Sequence, residues 1–181
     1  MLKRVLMPLL LLGLIPEAWS ACTVSPTTAS PSFGTSVSSF TLTSTAQAAS
    51  TTLVLDCDST LTLLTSDTAT LTLTGASTLV ANRGAMKRSD NAAITDTIPV
   101  KVCGVAGCAS GEATNGGTGY TWTGTPLLTL PGVRRYNLPL YLRTVIGQSV
   151  SAGPYTGTLF LNLYYSICTV GTVLTGCSTR E

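Results

Sequence analysis

An alternation of apolar and hydroxyl-bearing side chains, with a period of two residues, constrains this chain more than any other feature. Its clearest example is Ala-Thr-Leu-Thr-Leu-Thr at residues 69–74. Successive side chains of a β-strand point to opposite faces of a sheet, so this period predicts strands with one dry face and one face wetted by hydroxyl groups. Related runs occupy residues 40–43, 52–57, 61–64, 78–81, 96–103, 134–146 and 155–167.

Turn-forming residues, such as Gly75 and the pair Pro131-Gly132, separate these runs. The sequence after residue 20 shows no convincing helical period. The number and spacing of the runs predict an all-β protein, and more closely an Ig-like β-sandwich. The run at 134–146 contains Pro139, which lacks an amide donor, so we expect that strand to lie at an edge or to hold a bulge.

Charge is scarce in this chain, and this excludes several functions. Charged residues make up 10% of the 181 residues, the formal net charge is +2, and there is no His. The lack of His excludes a Ser–His–Asp triad and a His-liganded metal. A net charge of +2 provides no basic surface for nucleic acid. No nucleophile has a base beside it, so the sequence predicts a non-enzymatic protein without a cofactor.

The first residues have the features of a targeting segment. Lys3 and Arg4 precede a short apolar run, and small residues stand at the two positions that signal peptidase recognises. We therefore expect a secretory signal peptide over residues 1–20 and one domain over residues 21–181. One alternative is a membrane anchor, which would need about 20 apolar residues. Another is a lipoprotein signal, in which Cys22 would be acylated.

All six cysteines follow this segment, and an even number in an exported chain predicts disulfides. One pair of cysteines flanks a short glycine-containing loop and another pair flanks a hairpin-like segment. Their closeness in sequence favours a disulfide within each pair. The predicted disulfides are Cys103 with Cys108, Cys168 with Cys177 and, by remainder, Cys22 with Cys57. A zinc site is the alternative use of these thiols, but paired C-x-x-C spacing is missing from the sequence.

Two small charged clusters are further candidate sites. Asp56 and Asp58 are two residues apart, so on a strand their carboxylates share a face. Such a pair occurs in glycoside hydrolases and in calcium sites, although strand-end carboxylates are more often simply solvated. Arg83, Lys87 and Arg88 form a small basic cluster, which we expect in a solvated loop.

Several short motifs, taken in their order along the chain, resemble a known family. They are Ala-Cys-Thr-Val at 21–24, Phe33-Gly34, Leu-Asp-Cys at 55–57, Leu-Pro-Leu-Tyr-Leu at 138–142 and Ser-Ala-Gly-Pro-Tyr-Thr-Gly-Thr-Leu-Phe-Leu at 151–161. With the signal peptide, they resemble the spore coat protein U domain of archaic chaperone–usher pili. The resemblance covers nearly all of residues 21–168 and implies that residues 21–181 form one such domain.

The resemblance implies an incomplete Ig-like sandwich that lacks its last strand and exposes a groove. A periplasmic chaperone fills this groove first, and a neighbouring subunit then supplies the strand, which is donor-strand complementation. The groove residues expected here are Leu159, Leu161, Leu163, Tyr165 and Ile167. An open edge this apolar would aggregate unless a partner covered it. The alternative is that residues 155–167 form a central strand of a complete sandwich.

The resemblance also implies a position in the pilus. Chain-forming subunits carry a donor extension ahead of their first Cys, whereas Cys22 is the second residue after the expected cleavage site. We therefore expect a subunit at the tip, which mediates surface attachment and biofilm formation. Tip subunits of the family usually have a second domain, for which this chain leaves no room, so the alternatives are a shortened tip protein, a single-domain minor subunit and a truncated reading frame. If the chain is an isolated adhesive domain, its sandwich is complete and the groove is absent.

Apolar residues outside the strands listed above are candidates for adhesion. They are Val105, Tyr120, Trp122, Leu127 and Leu128, and each is alternatively an ordinary core residue. The partners that the resemblance implies are a pilus chaperone, an usher, neighbouring pilins and an abiotic or host surface, without nucleic acid. The expected location is the periplasm and then the cell surface, or secretion. The alternative function is a free-standing secreted or coat-type binding protein.

Overall fold

The computed structural model describes residues 22–26, 30–35, 37–59, 67–124, 132–167 and 178–180. In these ranges the protein is all-β, as the sequence predicts. A short helix, α1 (Ser39–Ser44), and a 3₁₀ turn at Ala106–Cys108 are the helical elements described. The strands are β1 (Cys22–Pro26), β2 (Ala48–Ser59), β3 (Asp67–Ala76), β4 (Leu79–Val80), β5 (Arg83–Arg88), β6 (Thr97–Cys103), β7 (Glu112–Ala113), β8 (Tyr120–Gly124), β9 (Gly132–Thr144), β10 (Tyr155–Thr156), β11 (Leu159–Ile167) and β12 (Ser178–Arg180).

These strands form two sheets, and all of their pairings are antiparallel. The larger sheet has the order β1-β2-β9-β6-β5-β10, with β4 added to β5 and β7 to β6. The smaller sheet has the order β12-β11-β3-β8. The longest pairing joins β2 to β9, from Ala48 opposite Arg143 to Ser59 opposite Gly132.

One hydrophobic core is shared by the two sheets. In β3, Ala69, Leu71 and Leu73 are buried, while the threonines between them stay partly or fully exposed. The larger sheet adds apolar side chains to the core from β2, β6 and β9, and the smaller adds them from β3 and β11. Two sheets that share one core are compatible with the Ig-like sandwich that the sequence predicts.

The segment 40–43 is helical, so its prediction as a strand is wrong. Ser38 caps α1, because its side-chain oxygen accepts a hydrogen bond from the backbone N–H of Phe40 at 3.2 Å. Leu42 is buried, while Phe40 is 80% exposed. The cap and the burial of Leu42 make this short segment helical despite its alternating pattern. The predicted strand at 61–64 lies outside the described residues.

β9 lies between β2 and β6 in the larger sheet, but the stretch that contains Pro139 pairs with β2 alone, so the expected edge position holds locally. Pro139 lies opposite Thr52 of β2, whereas β6 pairs with β9 between Tyr141 and Thr144. Pro139 therefore lies beyond the ladder with β6, and its missing amide does not interrupt those hydrogen bonds.

The predicted strand at 155–167 is divided between the two sheets. β10 pairs with β5 in the larger sheet, and β11 pairs with β3 in the smaller one. The chain crosses at Gly157 and Thr158. A Cβ on Gly157 would lie 2.7 Å from the carbonyl oxygen of Ala85, so this close approach requires glycine. The N–H of Thr158 donates to Ser77 Oγ at 3.0 Å, which fixes the crossing point.

Candidate functional site

The predicted groove residues all lie on β11, and they pack into or against the core. They are Leu159, Leu161, Leu163, Tyr165 and Ile167. The first two are half-buried and the last three are buried. The alternate residues Phe160 and Tyr164 are 55% and 38% exposed and point to the outer surface. Burial of the inward face therefore increases towards the C-terminal end of β11.

The neighbours of β11 explain this gradient. On one side β3 pairs with it from Leu159 to Ser166. On the other side β12 pairs with Tyr165, Ser166 and Ile167. Along residues 159–163, no strand of the described ranges lies on the β12 side. We call residues 159–163 the open edge.

The chemistry of the open edge suits the addition of a strand. Three leucines alternate with Phe160 and Asn162, so the edge carries no charge. A β-strand edge presents backbone N–H and C=O groups in a row, and an added strand would bond to them while its inward side chains cover the leucines.

A hydrogen-bonded cluster fixes the chain just before β10, and no local pattern in the sequence indicates it. Asp96 Oδ2 accepts hydrogen bonds from the N–H and the hydroxyl of Ser151, both at 2.7 Å. The hydroxyl of Tyr155 donates to the carbonyl oxygen of Ser151 at 3.0 Å. Chiefly because of the Ser151 N–H, the pKa of Asp96 lies below its ordinary value. The cluster gives a structural role to Ser151 and Tyr155, two residues of the motif at 151–161.

Two of the three predicted disulfides lie in the described ranges, and both are formed. Cys22–Cys57 joins β1 to β2 at residues that face each other in the ladder. Cys103–Cys108 closes the short loop after β6. The third predicted pair, Cys168 with Cys177, lies outside the described residues.

The family described as Spore Coat Protein U domain matches residues 10–162, which is most of the chain. The chain belongs to the Spore Coat Protein U domain family. This is a family of exported, structural subunits of the pilus or coat type, whose members interact with other subunits. A search of the curated proteins found no significant match.

In this spore coat protein U domain, the predicted adhesive residues have different surroundings. Tyr120 and Trp122 lie on β8, half-buried, and alternate with exposed threonines. Their rings form an edge-to-face contact with centroids 5.0 Å apart. Val105 is half-buried in the loop closed by Cys103–Cys108. Leu127 and Leu128 lie outside the described residues.

The ring of Tyr120 lies against this disulfide loop. A Cβ on either Gly104 or Gly111 would overlap with the ring, so both positions need glycine. Cys103 directly precedes Gly104, and the disulfide to Cys108 therefore holds one wall of this slot in place. As a result, the loop of the larger sheet docks onto β8 of the smaller sheet.

A buried polar cluster links the two sheets of the spore coat protein U domain at one end, and the sequence does not indicate it either. Asp67, the first residue of β3, is 2% exposed. Its carboxylate accepts hydrogen bonds from Arg134 at 2.7 Å and from the hydroxyl of Tyr136 at 2.5 Å, both on β9. Burial, with the nearby carboxylate, raises the pKa of Tyr136. The period of two places Asp67 on the inward face of β3, but it does not reveal partners on a distant strand.

The other charged clusters form ion pairs. Asp56 accepts two hydrogen bonds from Arg135 at 2.8 Å, and this contact lowers the pKa of Asp56. Arg83, Lys87 and Arg88 all lie on β5 rather than in a solvated loop, and each of the two arginines pairs with an acidic residue. In the described ranges, no three His, Cys, Asp or Glu residues group as a metal site. No helix in those ranges is long and apolar enough to cross a membrane.

Proposed function

We propose that this chain is a subunit of an archaic chaperone–usher pilus and that it is assembled by donor-strand complementation at the open edge. One observation carries the proposal: within the described ranges, β11 has a strand on one side only along residues 159–163. A periplasmic chaperone covers this edge first. At the usher, a neighbouring pilin subunit then provides the strand that replaces it.

The free energy available from such a strand supports the proposal. Complete burial of a leucine side chain stabilises by about 1.5–3 kcal/mol, and Leu159 and Leu161 are half-buried at present. Each backbone hydrogen bond adds a net 0.5–1.5 kcal/mol or so. A complementing strand therefore stabilises the subunit by several kcal/mol, a large share of the stability of a typical domain.

We propose further that the subunit acts at the pilus tip, where it mediates surface attachment and biofilm formation. The resemblance of the chain to tip subunits of the family supports this proposal. The apolar residues Leu127 and Leu128, which lie outside the described residues, remain candidates for contact with an abiotic or host surface.

The proposed route begins with the signal peptide at residues 1–20, continues through the periplasm and ends at the cell surface. A net charge of +2 supports protein and surface partners rather than nucleic acid.

Co-expression with an archaic-type periplasmic chaperone tests the acceptor role. We expect soluble monomer of the mature chain with the chaperone and little without it, because an uncovered apolar edge aggregates. Equal yields of monomer with and without the chaperone would contradict an open edge.

Two variants of β11 sharpen this test. Leu161→Asp places a charge on the inward face, so the chaperone complex should be lost. Phe160→Ser changes the neighbouring, outward-facing residue, so the complex should persist. If both variants bind the chaperone equally well, the contact does not use the inward face of β11.

The second candidate function is a free-standing secreted or coat-type binding protein. The pairing of β12 with β11 favours it, because the chain itself covers part of the edge. This function predicts a stable monomer in the absence of any chaperone, so the yields above separate the two candidates.

A further inference from the structure

We propose that β12 and a strand of a neighbouring pilin subunit share the edge of β11, so that the chain accepts a short strand from that subunit, antiparallel to β11 and in line with β12. This inference rests on the proposed function, because it requires that the open edge accepts a strand. It goes further by assigning the length, direction and side-chain pattern of the partner segment.

The register of β12 sets the direction of the incoming strand and one end of the edge that this strand can occupy. Tyr165 lies opposite Arg180 and Ile167 lies opposite Ser178, so β12 runs antiparallel to β11 and towards the open edge. A strand that occupies the remaining edge meets the end of β12 near Leu163. Only the antiparallel direction continues the ladder that β12 begins, with one hydrogen-bonding pattern along the whole strand.

The crossing of the chain between the sheets sets the other end of this edge. β11 begins at Leu159, and the preceding residue is held by Ser77 through bonds of 2.9 and 3.0 Å. Two residues earlier, Thr156 already pairs with β5 of the other sheet. A partner strand therefore cannot extend its ladder past Leu159. At about 3.3 Å per residue, the five residues of the open edge span roughly 17 Å, and a partner pairs with them through about five residues.

The side chains of the open edge set the pattern of the partner. Residues directly opposite each other in an antiparallel pair point to the same face. Partner positions opposite Leu159, Leu161 and Leu163 therefore face the core and must be apolar, since an unpaired charge there would be desolvated. The position opposite Phe160 faces outward, where Phe160 is 55% exposed and packs over Gly75, so a β-branched or aromatic residue suits it.

Synthetic peptides of two lengths test the division of the edge. The short probe is fluorescein-labelled acetyl-Thr-Val-Thr-Val-Thr-Val-Thr-amide, and the long probe extends the same alternation to about eleven residues. Each is titrated by fluorescence anisotropy against the mature chain and against a chain without residues 178–181. We expect the long probe to bind the mature chain within about twofold of the short one. For the shortened chain, where β12 no longer blocks the edge, the long probe should bind at least about tenfold more tightly.

The direction is tested with nitroxide labels on the short probe. A label at its N-terminus should broaden the NMR signals of Leu163 and Tyr165, and a label at its C-terminus should broaden those of Leu159.

If the shortened chain does not fold, the variant Thr179→Pro of the full chain replaces it in the length experiment, because proline removes an amide from β12 while the rest of the chain is unchanged.

Three results would overturn the inference. An equal gain from peptide length in both chains would show that β12 does not limit the edge, while the acceptor role would stand. The reversed pattern of broadening would show a parallel strand. Failure of both probes to bind either chain, with fold confirmed by unfolding curves, would refute the acceptor role together with the inference.

Discussion

Replacing Cys22 and Cys57 together by alanine should cost more stability than the same replacement of Cys103 and Cys108. The first disulfide spans a sequence separation of 35 and the second a separation of 5. In the chain-entropy description, a cross-link lowers the entropy of the unfolded state by about 2.1 + 1.5R ln n cal/mol/K. This amounts to about 3.8 kcal/mol for the long loop and about 2.1 kcal/mol for the short loop at 25 °C. The expected difference is about 1.7 kcal/mol.

The two double variants are well matched, which makes the comparison sharp. Each removes one buried and one half-buried sulfur, so the losses of packing are similar. Urea unfolding without added oxidant or reductant gives the free energy of unfolding of each variant. Comparable slopes against urea would indicate similar denatured states. An equal loss, or a larger loss from the short loop, would refute the loop-entropy reasoning. The docking of Tyr120 on the short loop would then be the dominant contribution.

Three further substitutions test particular contacts. Gly157→Ala should destabilise by about 1–3 kcal/mol in urea unfolding because its Cβ would crowd a backbone oxygen at 2.7 Å; Gly124→Ala, with its nearest contact at 3.9 Å, is the control and should change little. Tyr136→Phe should cost about 1–3 kcal/mol in the same assay, because it removes a hydrogen bond to the buried carboxylate at the start of β3; a neutral result would refute that contact. Ser151→Ala should raise the pKa of Asp96 in an NMR titration, since one of its donors is lost. The lowered pKa of Asp96 stabilises the fold at pH values above its ordinary pKa of 3.8. This stabilisation is lost as the pH falls through the pKa in the folded state, so the free energies of unfolding of the two proteins should converge in acid.

The strands of the core could be predicted from sequence because their pattern is local. In β3 the alternation of leucine and threonine places Leu71 in the core and Thr70 outside, and this needs no knowledge of the neighbouring strands. The all-β class and the Cys103–Cys108 disulfide followed from similar local signals, and the Cys22–Cys57 disulfide followed by remainder. Burial of one face is sufficient to fix which residues point inward.

The features that the sequence did not reveal depend on distant partners. The switch between sheets at Gly157 is determined by Ala85 and Ser77, which lie on another part of the chain. Likewise, Asp67 has its partners on β9, far away in sequence. The helix α1 was missed for a different reason: four residues are too few for a period of two to outweigh a cap and a buried leucine.

The candidate site shows where local patterns cease to be informative. The inward residues of β11 were predicted, but an open edge differs from a paired strand only in what lies beside it. Here that neighbour is β12, whose Ser-Thr-Arg sequence carries no apolar strand signal. Three residue pairs hold it to β11, which is worth a few kcal/mol at net values of about 0.5–1.5 kcal/mol per hydrogen bond. An incoming strand that extended past Leu163 would have to displace these pairs, so its gain from the extra residues would be largely offset. The length of the open edge is therefore set by β12, and the sequence of β11 alone does not determine it.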